Sequence, residues 1–225
     1  MMNNDIKKQR LAVFDFCGTI ANFQTFDPYL LFVLDKVKRR KPVIEKRIIR
    51  SAIACIDKVI HIFDKDFYLY KCLLVWMTRG ISEEALAQFG KQYYDEYIKS
   101  NLISETISLI KQFQNEGYHM IIASAGSKYY IKYFAEDYGF IQYITAEIGM
   151  MNGQSTGRLI TDCMGERKAS LLRNYVREVE ETIEIIVSDS SSDLPIYRMG
   201  QRKIVISKDK HQYWVDSSME EILCH

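Results

Sequence analysis

Residues 11–20 of the chain read LAVFDFCGTI, a short apolar run that stops at Cys17-Gly18-Thr19. An apolar run that ends in turn residues predicts a buried strand, here over Leu11–Phe16, that opens into a turn. Asp15 therefore lies at the carboxyl end of the predicted strand. A carboxylate in this position can attack a phosphoryl group that the N–H groups of the turn hold. An aspartate that merely caps a turn is an equal alternative on this stretch alone.

Three further apolar runs predict buried strands, at Tyr118–Ala123, Ile183–Val187 and Lys203–Ile206. Helical spacing of apolar residues predicts helices over Ser104–Glu116, Lys128–Tyr138 and Glu166–Glu178. Strands that alternate with helices predict an α/β fold with a parallel sheet covered on both faces. In such a sheet the active site lies beyond the carboxyl ends of the strands, so we expect it just after Phe14, Ala123 and Val187.

Residues 26 to 100 interrupt this alternation, because their apolar residues recur at helical spacing throughout. Pro42 and Gly80 are the predicted breaks between helices in this stretch. The sequence therefore predicts two domains. Residues 1–24 and 101–225 form the α/β core, and residues 25–100 form an inserted, all-helical cap domain.

The overall charge gives no reason to expect a nucleic-acid partner. The chain has 225 residues, a net charge of +1 and 48% hydrophobic residues, which is typical of a globular protein. The stretch Lys36–Arg50 is locally basic, with eight cations against Glu45 alone. A solvated helix face is the simpler interpretation, and contact with phosphate or an anionic membrane surface is the alternative.

Cysteine usage and the N-terminal stretch bear on location. The five cysteines are scattered and contain no CxxC, so neither a disulfide framework nor a zinc site is predicted. No signal-peptide pattern precedes the first strand, and no apolar run approaches the ~20 residues that span a bilayer. We expect a cytoplasmic protein. The sequence does not indicate an oligomeric state.

Three more positions at predicted strand ends or helix starts carry candidate chemistry. Ser124 and the amide of Ala125 could bind phosphate oxygens, although serine is also a common helix cap. Lys168 lies near a helix N-terminus, where a cation is disfavoured unless it faces an anion. Asp189 and Asp193 follow a buried strand and have the oxygen ligands that magnesium prefers. A polar, serine-rich loop is the weaker alternative, because buried acids are costly without a cation.

In order and spacing these stretches resemble the haloacid dehalogenase superfamily. VFDFCGTI (13–20) matches its first motif hhhDxDGT, IIAS (121–124) matches the second, Lys168 matches the third, and Asp189 to Asp193 match the fourth, DSxxD. The stretch NGQSTGRLITDCMGERKASLL (152–172) and the helical insert are similar to the phosphoserine phosphatase-like branch. The resemblance covers essentially the whole chain and implies a Rossmann-like core with a helical cap.

The resemblance implies a magnesium-dependent phosphatase in which Asp15 is the nucleophile and forms an aspartyl-phosphate. It implies that Mg²⁺ is held by Asp15, by the backbone carbonyl of Cys17 and by Asp189, with Asp193 in support. The residues that it implies for the phosphoryl oxygens are Gly18, Thr19, Ser124, Ala125 and Lys168.

Two positions depart from the family pattern. Cys17 stands where the family's phosphatases carry the aspartate that protonates the leaving group, and a thiol replaces that carboxylate poorly. A slow phosphatase, a phosphoryl transferase and a phosphate-binding protein without turnover all stay open. Gln24 replaces the glutamate that meets the substrate amine in phosphoserine phosphatases, so we expect free phosphoserine to be a poor substrate. The expected partner is a small phosphorylated metabolite. A sugar phosphate of surface-polysaccharide synthesis and a lipid phosphate are both open, because no residue chooses between them.

Overall fold

We describe a computed structural model of the chain, which covers residues 10–38 and 68–224. The described residues form a seven-stranded sheet in the order β4-β3-β2-β1-β5-β6-β7. The strands are β1 (Arg10–Phe14), β2 (His119–Ser127), β3 (Gln142–Met151), β4 (Gln154–Thr161), β5 (Thr182–Ser188), β6 (Arg202–Lys208) and β7 (Glu220–Cys224). Every neighbouring pair is parallel except the antiparallel β3 and β4. The predicted α/β fold with a mostly parallel sheet is confirmed.

The described helices are α1 (Phe26–Lys36), α2 (Leu69–Met77), α3 (Glu83–Tyr93), α4 (Ser104–Asn115), α5 (Lys128–Asp137), α6 (Gly165–Val179) and α7 (Leu194–Tyr197). A π-helical turn and a 3₁₀ turn continue α3 to Asn101. Helices α4, α5 and α6 begin and end within one residue of the predicted bounds, because each has an apolar stripe at helical spacing that packs on the sheet. No helix in the described part of the chain is long and apolar enough to cross a bilayer.

The described parts of residues 26–101 are mainly helical, joined by turns. Gly80 separates α2 from α3 with φ of +78°, a conformation that favours glycine, so the predicted break is confirmed. Pro42 and positions 39–50 of the basic stretch lie outside the described residues. The helices α1, α2 and α3, with the turns to Asn101, are called the helical insert below.

The helical insert packs on the sheet through one continuous apolar cluster. Tyr29 and Tyr93 of the insert contact Tyr130 of α5, with ring centroids 5.2 and 5.5 Å apart, and Tyr130 in turn contacts Phe16 beyond β1. All four side chains are buried. The division into domains at 24/25 and 100/101 stays a prediction.

The antiparallel hairpin of β3 and β4 was missed at the sequence level. Asn152 and Gly153 form its turn with φ of +51° and +73°, and an Asn-Gly pair between two strands is a strong hairpin signal. The predicted first strand, Leu11–Phe16, began one residue late and ended two residues past the observed end at Phe14. The second continues past Ala123 to Ser127, because it goes on pairing with β3 across a register shift between Ser124 and Ser127.

Candidate active site

The carboxyl ends of β1, β2 and β5 lie side by side and bring the predicted residues together. Asp15 follows β1, and its backbone N–H donates to the carbonyl of Val187 in β5 at 2.9 Å. A cavity of about 610 Å³ opens above these strand ends. The predicted site residues that line it are Asp15, Cys17, Gln24, Ala125, Lys168 and Asp193.

Lys168 holds two of the acidic side chains. It lies in the first turn of α6, and its Nζ donates to Asp15 Oδ1 at 2.9 Å and to Asp193 Oδ2 at 2.7 Å. Ser188 Oγ donates to the same Asp193 oxygen at 2.6 Å. Burial lowers the pKa of Lys168, but the two carboxylates together outweigh it and raise that pKa well above its usual value. The ammonium therefore stays charged although it lies at the positive end of a helix dipole.

Thr19 and Gly18 place Asp189 beside Asp15. Thr19 Oγ1 donates to Asp189 Oδ1 at 2.9 Å and lies 3.4 Å from Asp15 Oδ2. Thr106 Oγ1 fixes this turn by donating to the carbonyl of Thr19 at 2.6 Å. Gly18 has φ of +85°, and a Cβ there would lie 2.2 Å from Asp189 Oδ2. Only glycine lets this turn and the carboxylate approach so closely.

The site holds more negative than positive charge. Burial, reinforced by Asp193 and opposed by Lys168, raises the pKa of Asp15. Burial, followed by the charge of Asp15, raises the pKa of Asp189 to about 7. Three carboxylates thus share one ammonium in a water-poor setting, which is costly unless another cation compensates them.

The donor set fits magnesium. Asp193 Oδ1 is buried and has no hydrogen-bond partner among the described residues. No three His, Cys, Asp or Glu side chains within residues 10–38 and 68–224 converge as a closed metal site. Magnesium is usually bound by one or two carboxylates and keeps several waters, so it does not need such a closed set.

Ser124 lies near the end of β2, where its Oγ accepts from the N–H of Gly126 at 3.2 Å and lies 3.6 Å from Cys17 Sγ. The cap of α5 is Ser127, whose Oγ accepts from the N–H of Tyr129. The alternative that Ser124 serves as the helix cap is therefore wrong. Its role in phosphate binding stays a prediction.

Cys17 lies in a pocket of hydroxyl groups. Its Sγ is 3.0 Å from Thr25 Oγ1, which lies 2.7 Å from Tyr130 OH, and Tyr93 OH donates to the carbonyl of Thr25 at 3.2 Å. Burial, and then the charge of Asp15, raises the pKa of the Cys17 thiol. The side chain at this position is therefore a neutral thiol at physiological pH.

Sequence reasoning missed a second buried ion pair at the same cavity. Lys71 of α2 donates from Nζ to Asp162 Oδ1 at 2.6 Å and to the carbonyl of Ala125 at 3.2 Å. Its Nζ also lies 4.5 Å from the ring centroid of Phe26. The lone lysine inside the apolar run LYKCLLVWM was a usable signal for Lys71. Nothing around Asp162 distinguished it from an ordinary loop acid.

Comparisons with known proteins agree with this geometry. Residues 12–198 match the family model of the haloacid dehalogenase-like hydrolases. A histidinol-phosphatase of Neisseria meningitidis serogroup C (strain 8013) is 25% identical over 135 residues, which cover 57% of this chain and 61% of that protein. The chain thus spans about three fifths of the length of the curated relative that it matches.

Two solved structures share the fold. A Bordetella pertussis Tohama I protein of unknown function superposes with a TM-score of 0.68 at 17% identity, over 89% of this chain and 91% of that one. A substrate-bound phosphoserine phosphatase superposes with a TM-score of 0.58 at 18% identity, over 89% and 87%. Because the family model spans most of the chain, from β1 through α7, the chain belongs to the haloacid dehalogenase-like hydrolases.

Proposed function

We propose that the protein hydrolyses phosphomonoesters of small metabolites, with Asp15 as the nucleophile. The observation that carries the proposal is the buried contact of 2.9 Å between Asp15 Oδ1 and Lys168 Nζ, at the floor of the 610 Å³ cavity. A carboxylate paired with an ammonium at the open end of a parallel sheet suits attack on an anionic phosphoryl group. The cavity volume falls in the range of small-molecule sites.

In this proposal a carboxylate oxygen of Asp15 attacks phosphorus in line with the ester oxygen. The P–O ester bond breaks, and water then hydrolyses the aspartyl-phosphate to regenerate Asp15. Lys168 stabilises the charge on the phosphoryl oxygens, and Ser124 and the amides of Gly18, Thr19 and Ala125 are the further proposed donors. Such fixed donors in a water-poor site contribute a large part of the rate enhancement.

The groups proposed to hold Mg²⁺ are Asp15, Asp189 and the backbone carbonyl of Cys17, with Asp193 in support. When bound, Mg²⁺ would neutralise phosphate charge and align the reacting atoms. The unpartnered Asp193 oxygen and the crowding of three carboxylates support this part of the proposal.

The substrate class follows from the relatives and from Gln24. The named relatives are a histidinol-phosphatase and a phosphoserine phosphatase, both of which act on phosphomonoesters of small molecules. Gln24 is exposed and lines the cavity on the side of the helical insert, where an uncharged amide does not select a substrate ammonium. We therefore propose a small phosphate ester other than free phosphoserine, such as a sugar phosphate.

A phosphoryl transferase is the second candidate, and the neutral Cys17 thiol favours it. Without a carboxylate to activate water, the aspartyl-phosphate lasts longer and can pass its phosphoryl group to an alcohol. Adding glycerol during turnover distinguishes the two activities. A transferase forms glycerol phosphate in preference to inorganic phosphate, whereas a phosphatase releases inorganic phosphate.

The proposed function is tested by single-turnover hydrolysis of p-nitrophenyl phosphate with Mg²⁺ and with EDTA, for the wild type and for Asp15→Asn. We expect p-nitrophenol release that depends on Mg²⁺ and a loss of at least about 10⁴-fold in Asp15→Asn, because the nucleophile is gone. Equal rates of the two proteins would rule out Asp15 as the nucleophile. No hydrolysis by the wild type would favour a phosphate-binding protein without turnover.

A further inference from the structure

Cys17 stands where the family's phosphatases carry the carboxyl group that protonates the ester oxygen of the substrate. The neutral thiol is a weak hydrogen-bond donor, and its neighbours Thr25 and Ser124 are hydroxyls. Among the described residues that line the cavity, Lys71 and Lys168 are the cations. Lys168 Nζ is hydrogen-bonded to Oδ1 of the proposed nucleophile Asp15. It therefore lies beside the attacking carboxylate and not beside the leaving group.

Lys71 approaches the same cavity from the helical insert. It is 6% exposed and reaches from α2 to the loop after β4, through Asp162, and to the end of β2, through the carbonyl of Ala125. An ammonium has three N–H donors, and the described partners of Lys71 take two of them. Lys71 lines the cavity, so a substrate oxygen can take the third in preference to the weaker contact with the Phe26 ring. Its neighbour Ala125 carries one of the amides proposed to hold the phosphoryl group, and both residues line the cavity that holds Asp15.

We propose that Lys71 is the catalytic acid that protonates the leaving group in place of the missing aspartate. This inference rests on the proposed function. As Asp15 forms its bond to phosphorus, the electron pair of the breaking P–O bond goes to the ester oxygen, and that oxygen takes a proton from the Lys71 ammonium. The neutral amine then receives a proton from the water that attacks the aspartyl-phosphate, which restores the ammonium.

Asp162 and Ala125 position the ammonium in this scheme. The side chain of Asp162 is 4% exposed, and the pair with Lys71 at 2.6 Å leaves the lysine few other orientations. Asp162 immediately follows β4 and precedes α6, the helix that carries Lys168. One loop therefore fixes the proposed acid and leads into the helix that carries the cation beside the nucleophile.

The leaving group provides the test, since a good leaving group needs no proton. We would measure kcat/KM, which reports the step that forms the aspartyl-phosphate, for p-nitrophenyl phosphate and for an alkyl phosphate such as glycerol 2-phosphate. In Lys71→Met we expect the alkyl ester to lose about 10²–10⁴-fold and the p-nitrophenyl ester less than about tenfold. The ratio of the two rates within one sample does not depend on the fraction of folded enzyme.

Two further variants separate proton donation from a structural role. Lys71→Arg keeps a cation opposite Asp162 but cannot give up a proton, so we expect the same selective loss of the alkyl ester. Lys128→Met removes another ion pair between the helical insert and the core, the 3.0 Å contact with Glu83, which lines a different cavity. We expect this control to lower both rates equally and by less than about threefold.

The outcomes distinguish the inference from the function on which it rests. Equal losses on both esters in Lys71→Met, or full alkyl activity in Lys71→Arg, would overturn the role of Lys71 and leave the phosphatase proposal intact. Absence of Asp15-dependent hydrolysis of either ester by the wild type would overturn both.

Discussion

Two buried lysines face the same cavity in opposite electrostatic situations. Lys168 shares its region with Asp15, Asp189 and Asp193, so that cluster has an excess of negative charge. Lys71 pairs one-to-one with Asp162 and adds a carbonyl and a ring as partners. The first cluster is suited to a further cation and an anionic substrate, whereas the second is neutral without any ligand. The unbalanced cluster therefore predicts a bound cation, whereas the balanced pair can hold the Lys71 ammonium in place without one.

The largest expected effect is on the stability of the fold, and it tests whether the Lys71–Asp162 pair balances its own charges. Lys71→Met leaves the Asp162 carboxylate buried and unpaired, so we expect the free energy of unfolding to fall by about 3–5 kcal/mol. The double variant Lys71→Met, Asp162→Leu removes both charges and should recover most of this loss. Urea unfolding, followed by circular dichroism, measures both. A double variant as unstable as Lys71→Met would show that the pair is not self-compensated.

Lys168→Met tests the proposed role of the other buried lysine, and the readout is enzyme activity. Its ammonium is proposed to stabilise the phosphoryl oxygens for every substrate, so kcat/KM should fall by about 10²–10³-fold for aryl and alkyl esters alike. That uniform loss contrasts with the selective loss expected for Lys71→Met. A loss confined to the alkyl ester in Lys168→Met would instead exchange the roles of the two lysines.

Cys17→Asp tests whether a carboxylate at this position restores acid–base catalysis. Thr25 Oγ1 and Ser124 Oγ lie 3.0 and 3.6 Å from the sulfur and could donate to a carboxylate there. Because Lys71 is proposed to supply the proton in the wild type, we expect alkyl phosphate hydrolysis to rise there by less than about tenfold. In the Lys71→Met background the same substitution should raise it by about 10²-fold, at the lower end of what general acid–base help contributes. Cys17→Asn is the matched control without a titratable group and should give no gain. Equal gains in alkyl phosphate hydrolysis from both variants would show that the shape of the side chain, and not its acid–base chemistry, causes the gain.

The smallest expected effect concerns the exposed ion pair of Lys128 and Glu83. Their side chains are 41% and 43% exposed, and such pairs contribute about 0.2–1 kcal/mol to stability. Lys128→Met should therefore lower the free energy of unfolding by at most about 1 kcal/mol, measured by urea unfolding at low salt. A loss near that of Lys71→Met would mean that burial does not explain the difference between the two pairs.

Much of the site could be predicted because its residues occupy fixed places in the local pattern. Asp15, Ser124, Lys168 and Asp189 each lie at a strand end or a helix start, and the carboxyl ends of parallel strands meet at one edge of a sheet. The Asn152-Gly153 pair is a sequence signal that could have predicted the β3–β4 hairpin, but it was overlooked.

Contacts between distant segments were not predictable in the same way. Asp162 lies 91 positions from Lys71 along the chain, and Tyr130 lies 105 positions from Thr25. Neither pair belongs to a spacing that a helix or strand repeats, so no periodicity relates its members. Their partnership depends on how the helical insert packs against α5 and the loop after β4.

The sequence by itself determined the alternation of β1, β2, β5 and β6 with α4, α5 and α6, the sheet edge that holds the site, and the side chains at that edge, because turn residues and apolar periodicity are local. Tertiary structure alone decided which hydroxyls surround Cys17 and which carboxylate holds Lys71. These outcomes depend on burial and on distances of about 3 Å between separate elements, and such distances arise only when the apolar faces pack together.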